Sequence, residues 1–411
     1  MGKLINLIRF LLTILFTMGA SFKSTYAQPN GRGELYMNDR LVIPFDIHYQ
    51  SSSKPKLSII NGEEKISLIL QKRNSDSLYF LFPFASGALI FHEKTMRGYW
   101  LNLNKTMPQQ IPLTLSLRQV VEENYCLKFE HLYEENYKDF SGVFSVEFDD
   151  QKEKTRAIAL FNSRGPALEG TFRTETGDYR YLSGGIFNGV LKLSCFDGYH
   201  AYLFEAYQDS SRTLQGVFYA GTRYRANWTG VKNSRASLLA SDSISFPVNG
   251  PMELEIMVQD LRGKQKQLGR SYFQGKPTVV QLLGSWCPNC LDESQYIQSM
   301  ISSGRFKGVR FIGVSFENGK TPKDKIKRIK AFKNRLSLTY PVFLGGGATV
   351  EEASRIFHQL NGVFSFPTTL FLDKKGRIIG VHSGFDGPAT GVHYEALKQK
   401  TEGLLLKLML E

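Results

Sequence analysis

The chain has 411 residues, more than one compact core usually takes, so we expect two domains behind a short processing segment. Hydrophobic residues make up 42% of the sequence and charged residues 22%, a balance that indicates an ordered globular protein and excludes a fibrous or largely disordered one. The net charge of +13 would attract polyanions, but no nucleic-acid-binding motif accompanies it, and we expect no nucleic-acid partner.

The N-terminus is typical of a secretory signal peptide over residues 1–27. Basic residues precede an apolar stretch at 10–20, and small residues at 25–27 offer a cleavage point before Gln28. The alternative is an uncleaved anchor helix that begins at Leu4. Both interpretations place the folded part outside the cytoplasm, in the periplasm or cell envelope, either soluble after cleavage or tethered by that helix.

Residues 28–240 predict a mainly β domain of unknown role. Short alternating segments, punctuated by Gly, Asp and Asn, run through this region in the way that strands and hairpins do. The clearest of these segments are 56–70, 78–84, 142–148, 156–161, 191–196, 201–206 and 213–219.

The polar stretch 232–245 has no periodicity and marks a domain boundary, after which residues 241–411 alternate strands with helices. We interpret the triple glycine at 345–347 as a turn. The predicted strands are 252–259, 278–283, 309–315, 368–372 and 377–382, and the predicted helices begin near 288, 322 and 392. This order predicts an α/β domain with a central mixed sheet flanked by helices.

The chemistry is expected at Trp286-Cys287-Pro288-Asn289-Cys290, which follows the buried strand and opens a helix. Two residues between the cysteines let their sulfurs bond, and the free N–H groups at the helix start favour a thiolate. Cys287 is then the exposed nucleophile, and the more buried Cys290 resolves the mixed disulfide. We expect no cofactor beyond this redox-active disulfide, and no metal, because one CxxC lacks the second half of a zinc site.

The strand, the Trp-Cys-x-x-Cys motif and its helix, with a later Phe366-Pro367-Thr368-Thr369 before a strand, resemble the thioredoxin superfamily. Within it, the chain is most similar to exported thiol:disulfide oxidoreductases of the TlpA and ResA type, over roughly residues 250–410. The resemblance implies a cis peptide before Pro367, beside the sulfurs, with the Phe366 backbone placed to pair with a substrate segment. On its own, Pro367 is equally consistent with an ordinary first residue of a strand.

Glu293 stands three residues after Cys290, on the same helix face. The TlpA and ResA family carries an acid here that acts as a buried proton acceptor near the cysteines, and a carboxyl so placed would have a raised pKa. The alternative is a solvated helix charge beside Asp292. The sequence departs from the family just before the motif, where residues 281–284 are Gln-Leu-Leu-Gly rather than Asn-Phe-Trp-Ala, which leaves redox potential and partner preference open.

The β-rich region resembles the N-terminal modules that precede thioredoxin-like domains in some exported bacterial proteins, notably around residues 177–182 and 193–198. This similarity assigns it no activity. Cys126 and Cys195 are either a structural disulfide, which an exported location permits, or buried thiols. The sequence leaves both possibilities open.

The leading hypothesis is disulfide exchange with partner proteins outside the cytoplasm, as a reductase. The resemblance implies a membrane thiol donor, and apocytochrome c or other exported proteins as substrates. Two alternatives remain. One is a peroxiredoxin-like peroxidase, although the Thr and Pro that usually precede such a cysteine are absent just before Cys287. The other is a cell-envelope binding protein in which the β domain is the working part.

Overall fold

The computed structural model describes residues 29–83, 87–102, 109–117, 139–164 and 167–411. The signal segment and Cys126 lie outside these ranges, so the expectations about cleavage and about a Cys126–Cys195 disulfide stay predictions. Among the residues that are described, no helix is both long and apolar enough to cross a membrane.

The first sheet is antiparallel and runs in the order β4-β3-β2-β1-β9-β8-β7-β6-β5. Its strands are β1 (Gly31–Tyr36), β2 (Val42–Gln50), β3 (Lys56–Asn61), β4 (Glu64–Ser67), β5 (Ile69–Asn74), β6 (Ser77–Leu81), β7 (Gly87–His92), β8 (Arg97–Asn102) and β9 (Gln109–Leu117). Side chains alternate between buried and exposed along strands such as β1 and β9, because one face of the sheet packs on the core and the other meets solvent.

The second sheet is also antiparallel and closes on itself, because β11 pairs with both β10 and β12. Its strands are β10 (Gly142–Asp149), β11 (Lys154–Arg164), β12 (Ala167–Thr174), β13 (Gly177–Asp178), β14 (Leu182–Phe187), β15 (Val190–Phe196), β16 (Ala201–Gln208), β17 (Leu214–Ala220) and β18 (Tyr224–Lys232). The interior is aromatic, with the rings of Phe204 and Phe218 stacked at 4.2 Å. Cys195 is buried in this core.

The two sheets share side chains across their contact. The ring of Phe196 on β15 lies 4.8 Å from that of Phe45 on β2 and 5.0 Å from that of Trp100 on β8. The mainly β character predicted for 28–240 is therefore confirmed for the described residues. The boundary at residue 240 stays a prediction.

The third sheet is mixed and runs in the order β20-β19-β23-β22-β21-β24-β25. The elements of this part are β19 (Ile256–Gln259), β20 (Gln265–Leu268), α1 (Arg270–Phe273), β21 (Thr278–Leu283), α2 (Pro288–Ser302), β22 (Arg310–Glu317), α3 (Pro322–Arg335), β23 (Val342–Gly347), α4 (Val350–Ile356), β24 (Thr368–Leu372), β25 (Ile378–Ser383) and α5 (Val392–Leu410). Strand β21 is buried along its whole length, pairing in parallel with β22 and antiparallel with β24. Helices α2, α3 and α5 pack on one face, and α1 and α4 on the other. The predicted mixed sheet flanked by helices is confirmed.

The interpretation of 345–347 as a turn is wrong, because these glycines end strand β23. Close packing accounts for them. A Cβ at Gly345 would lie 2.8 Å from the Phe316 ring, and one at Gly346 would lie 2.3 Å from a carboxylate oxygen of Glu352. Glycine is retained here for space rather than for a change of chain direction.

Candidate active site

Helix α2 begins at the redox motif because Pro288 occupies its first turn and Cys287 caps it. Cys287 has extended backbone angles, and its Sγ accepts a hydrogen bond from the Cys290 backbone N–H at 3.2 Å. The partial positive charge of a helix N-terminus and this N–H both favour a negatively charged sulfur. Both cysteines are free thiols in this structure, and the Cys287 thiol donates to the Phe366 carbonyl at 3.4 Å.

The expectation that Cys287 is exposed is wrong, since only 8% of the residue is exposed, while its role as the nucleophile stays a prediction. The next two residues of the motif contact the β region, since Arg180 donates to the Pro288 carbonyl and Asn289 donates to the Asp178 carbonyl. Cys290 is fully buried, as predicted, and burial with the nearby Cys287 sulfur raises the pKa of its thiol well above the usual value.

The Phe366–Pro367 peptide is cis, as the resemblance implies. The Trp286 indole packs edge-on against the Phe366 ring at 5.9 Å, and its Nε1–H donates to the Phe316 carbonyl at 2.9 Å. Gly284 makes room for this arrangement, because a Cβ there would lie 2.4 Å from the indole nitrogen. The Gly that replaces the family's Ala before the motif therefore lets the tryptophan fold back over its own loop.

Glu293 is buried on the inner face of α2, so the alternative of a solvated charge is wrong. Thr369 Oγ1 donates to one carboxylate oxygen at 2.7 Å, and Gln281 Nε2 donates to the other at 2.9 Å. Burial raises the pKa of Glu293 to about 7, although both hydrogen bonds oppose the rise. A carboxyl with this pKa can take up and release a proton near neutral pH.

Gln281 replaces the family's Asn and is the centre of a buried polar cluster. Its Oε1 accepts from Ser294 Oγ at 3.0 Å and from the Tyr340 hydroxyl at 3.1 Å, while its amide nitrogen donates to Glu293. Sequence reasoning recognised the departure at this position but gave it no role. Its place inside the apolar strand 278–283 would have indicated a buried amide, which needs hydrogen-bond partners.

A second buried carboxyl, Glu317, holds the loop before the motif and was not foreseen. It accepts from the Ser285 backbone N–H at 2.8 Å, from Ser285 Oγ at 2.7 Å and from Ser315 Oγ at 2.6 Å. Burial raises its pKa, and these hydrogen bonds counteract part of the rise. Glu317 is the last residue of β22, the strand next to β21. Its hydrogen bonds with Ser285 therefore hold the loop 284–286 against the sheet.

The β domain contacts the motif directly. The Asn289 side-chain amide donates to the Asp178 carbonyl at 3.1 Å, and the rings of Tyr199 and Trp286 lie 6.2 Å apart. A Cβ at Gly177, whose φ is +142°, would lie 2.5 Å from the Asn289 amide nitrogen, so this close approach requires glycine. Asp292 points into this contact rather than into solvent and has only 9% of its side chain exposed.

A cleft of about 830 Å³ lies beside the motif, between the two β sheets and the third sheet. Aromatic side chains form part of its walls, namely those of Trp100, Tyr199, Tyr202, Tyr224 and Trp286. Within the described ranges, no group of three or more His, Cys, Asp or Glu side chains is arranged so that it could hold a metal ion.

Two sulfurs at a helix start, a cis-proline peptide on the neighbouring strand and a buried carboxyl behind them define a redox site of the thioredoxin type. Residues 248–396 match the Redoxin family. The chain is 26% identical over 135 residues to the thiol-disulfide oxidoreductase ResA of Halalkalibacterium halodurans, which covers 33% of this chain and 68% of that protein. It is 27% identical over 130 residues to the thiol:disulfide interchange protein DsbE of Vibrio cholerae, which covers 32% of this chain and 62% of that protein.

Among solved structures, a thioredoxin-family thiol:disulfide interchange protein from Chlorobium tepidum aligns with 40% of this chain and 97% of its own, at 18% identity and a TM-score of 0.29. The family match and the relatives place the C-terminal part in the thioredoxin superfamily. Residues 248–396 are thus similar to TlpA/ResA-like thiol-disulfide oxidoreductases of that superfamily, and a β-rich region precedes them.

Proposed function

We propose that the chain exchanges disulfides with partner proteins through Cys287 and Cys290, acting as a reductase outside the cytoplasm. The observation that carries the proposal is the Cys290 N–H donating to Cys287 Sγ at the start of α2, beside the Phe366 carbonyl. This arrangement stabilises a nucleophilic sulfur at the point where a partner's backbone can pair with the chain before the cis proline.

The exchange proceeds in two displacements. The Cys287 thiolate attacks a partner disulfide, so that a Cys287–partner bond forms, the partner's own S–S bond breaks and one partner sulfur leaves as a thiolate. The Cys290 sulfur then attacks Cys287 Sγ, which forms the Cys287–Cys290 disulfide and releases the second partner sulfur. Two electrons pass to the partner, and a thiol donor must return them before the next cycle.

Glu293 serves the second displacement as a proton acceptor. Burial raises the pKa of the Cys290 thiol, so this sulfur must lose its proton before it can attack. Glu293, with a pKa raised to about 7, lies one turn further along the same helix. Its carboxylate accepts that proton, directly or through a water, and returns it when the pair is reduced again.

Reduction of insulin by dithiothreitol tests the reaction. We expect the wild-type protein to accelerate it and Cys287→Ala to abolish the acceleration, while Cys195→Ala, which changes a cysteine in the second sheet, leaves the rate unchanged. Cys290→Ser is expected to accumulate a mixed disulfide with the substrate. A wild-type protein that neither reduces insulin nor forms this adduct would overturn the proposal.

Export, a membrane thiol donor and apocytochrome c as a substrate complete the proposal. The support is the signal-like N-terminus and the similarity to ResA and DsbE. N-terminal sequencing of protein recovered from cells should begin at Gln28 if the segment is cleaved, and at the initiator region if it is retained as an anchor.

The aromatic cleft favours a second candidate function, in which the β domain binds a partner independently of thiol exchange. Most of the residues lining the cleft come from the two β sheets, and Trp286 is the link to the motif. A partner that co-purifies equally with wild type and with a Cys287→Ala/Cys290→Ala variant would support this candidate. A partner that co-purifies with wild type but not with this variant would instead indicate that the cleft serves thiol exchange.

A further inference from the structure

The two β-region segments noted in the sequence, 177–182 and 193–198, meet at the first turn of α2. From the first segment, the Asp178 carbonyl accepts from the Asn289 amide at 3.1 Å, and the Asp178 carboxylate accepts from the Gly387 backbone N–H at 2.5 Å. From the second, Asp197 is fully buried. The β region is thus attached to the variable pair of the redox motif and to the loop after β25.

Arg180 is the centre of this junction and is 4% exposed. Its guanidinium donates to the Pro288 carbonyl at 3.0 Å and forms ion pairs with Asp292 on α2 and with Glu64 on the first sheet. The carboxylate of Asp197 on the second sheet lies 3.9 Å from its Nε. One side chain therefore ties both β sheets to the helix that carries the cysteines.

The backbone of Arg180 is held in an uncommon conformation to reach this position. Its φ is +58°, in the left-handed region that non-glycine residues rarely adopt. The Asp178 carboxylate fixes the turn by accepting from the Arg180 backbone N–H at 2.6 Å. The surrounding contacts thus specify an arginine side chain at this point of the chain.

The junction around Arg180 holds more carboxyl groups than cationic groups. A single guanidinium faces the carboxyls of Glu64, Asp197 and Asp292, and of these Asp197 also pairs with His200 at 3.2 Å. Without Arg180, buried negative charge would lie next to the residue that follows Cys287. In a site with little water, such charge opposes a thiolate more strongly than it would at the surface.

We propose that Arg180 is a positioning residue of the redox site, which holds the first turn of α2 and sets the redox equilibrium of the Cys287–Cys290 pair. The inference rests on the proposed function and adds the β region to it as a component of the site. Reduction of the pair takes two electrons from the thiol donor and one proton, breaks the S–S bond and leaves a thiolate on Cys287 and a protonated thiol on Cys290. Arg180 stabilises the reduced form because it offsets the carboxyls around that thiolate.

The test is the equilibrium of the full-length protein with reduced and oxidised glutathione. We expect Arg180→Met to shift the equilibrium constant toward the disulfide about tenfold, which corresponds to about 30 mV. Arg180→Lys keeps the positive charge but loses the planar guanidinium and its several donors, so we expect its equilibrium to lie between those of wild type and Arg180→Met.

The matched control is Arg173→Met. Arg173 forms another ion pair between the β region and the redox domain, and its two hydrogen bonds of 2.7 Å go to Asp386, in the loop after β25, rather than to α2. Its equilibrium should stay within about twofold of wild type.

A second variant keeps the inference testable if Arg180→Met does not fold. Asp292→Asn removes one carboxylate and leaves Arg180 in place, so we expect the opposite shift, toward the dithiol, of about threefold. Equilibria of folded Arg180→Met or of Asp292→Asn within twofold of wild type, or an equal shift in Arg173→Met, would overturn the inference alone. Failure of the wild-type pair to equilibrate with glutathione would overturn the proposed function itself.

Discussion

Asp292 and Glu293 are neighbours in sequence, but they face different sides of α2 and have different surroundings. Glu293 points into the redox domain, where Thr369 and Gln281 donate to it. Asp292 points toward the β region and pairs with Arg180. Burial raises the pKa of both carboxyls to about 7, against two neutral donors at Glu293 and against a guanidinium at Asp292, where nearby carboxyls add to the rise. Glu293 can therefore exchange a proton, whereas Asp292 forms an ion pair that joins the β region to α2.

The largest expected effect is a loss in the free energy of unfolding when Arg180, the partner of Asp292, is replaced. Arg180→Met leaves buried carboxyls without their cation, which typically costs about 3–5 kcal/mol in the free energy of unfolding. Arg173→Met, at a pair whose side chains are 15% and 22% exposed, should cost less, about 1–2 kcal/mol. Urea titration of both variants measures the difference. Equal losses would mean that the Arg180 junction is no more important than any other interdomain ion pair.

The next largest effect is the pH dependence that Glu293 gives to the stability of the fold. Because burial raises the pKa of Glu293 from 4.5 to about 7, the folded protein binds this proton more tightly than the unfolded chain does. The resulting stability is fully present below pH 4.5 and is lost as the pH rises through about 7. Glu293→Gln should therefore reduce the loss of stability between about pH 5 and pH 8 by about 2–3 kcal/mol. Urea titrations at the two pH values measure it, and an unchanged difference would contradict the raised pKa.

A smaller effect concerns the donor on Glu293. Thr369→Val removes a hydrogen bond that favours the ionised carboxyl, so the pKa of Glu293 should rise further. The pH midpoint for resolution of the mixed disulfide should move up by about one pH unit, since a hydrogen bond to a charged group contributes about 1.5 kcal/mol. Stopped-flow measurement of that step gives the midpoint. Thr368→Val is the control, because the Thr368 hydroxyl donates to the Ser365 carbonyl and not to Glu293. The same movement in both variants would exclude a specific role for Thr369.

The smallest effect is expected at Glu317, which extends the comparison to a buried carboxyl that lies outside α2 and accepts hydrogen bonds from Ser285 and Ser315. Glu317→Gln keeps one acceptor oxygen but turns an amide N–H₂ toward the donors of Ser285 and Ser315. We expect a loss of about 1–2 kcal/mol and a change in the fluorescence of Trp286, whose loop Glu317 holds. Thermal unfolding and tryptophan emission measure these two results. Unchanged emission would show that Ser285 alone is enough to fix the loop.

The sequence predicted the local features of the redox domain well. The buried strand at 278–283, the start of α2 at Pro288 and the capped start of α3 at Thr321 follow from short-range patterns, and the structure confirms each. Glu293 and Pro367 were found through a family resemblance, and the structure places both beside the cysteines. Their roles in catalysis stay proposals.

The contacts that shape the surroundings of the site could not be predicted in the same way. The Arg180–Pro288 contact joins residues 108 positions apart, and no periodicity in the sequence records it. The exposure of Cys287 was misjudged for the same reason, since its Sγ contacts the Phe366 carbonyl, 79 positions further along the chain. The strand at Gly345–Gly347 was missed because its glycines accommodate Phe316 and Glu352, which only the folded sheet brings near.

The distance along the chain between Arg180 and the motif also orders the protein's assembly. Protein synthesis runs from the N-terminus at about 5–20 residues per second, so the 108 residues after Arg180 take on the order of 5–20 seconds to follow. Glu64, Arg180 and Asp197 are all made before Pro288. The β-region groups of this junction are therefore all present in the chain before the cysteines are made.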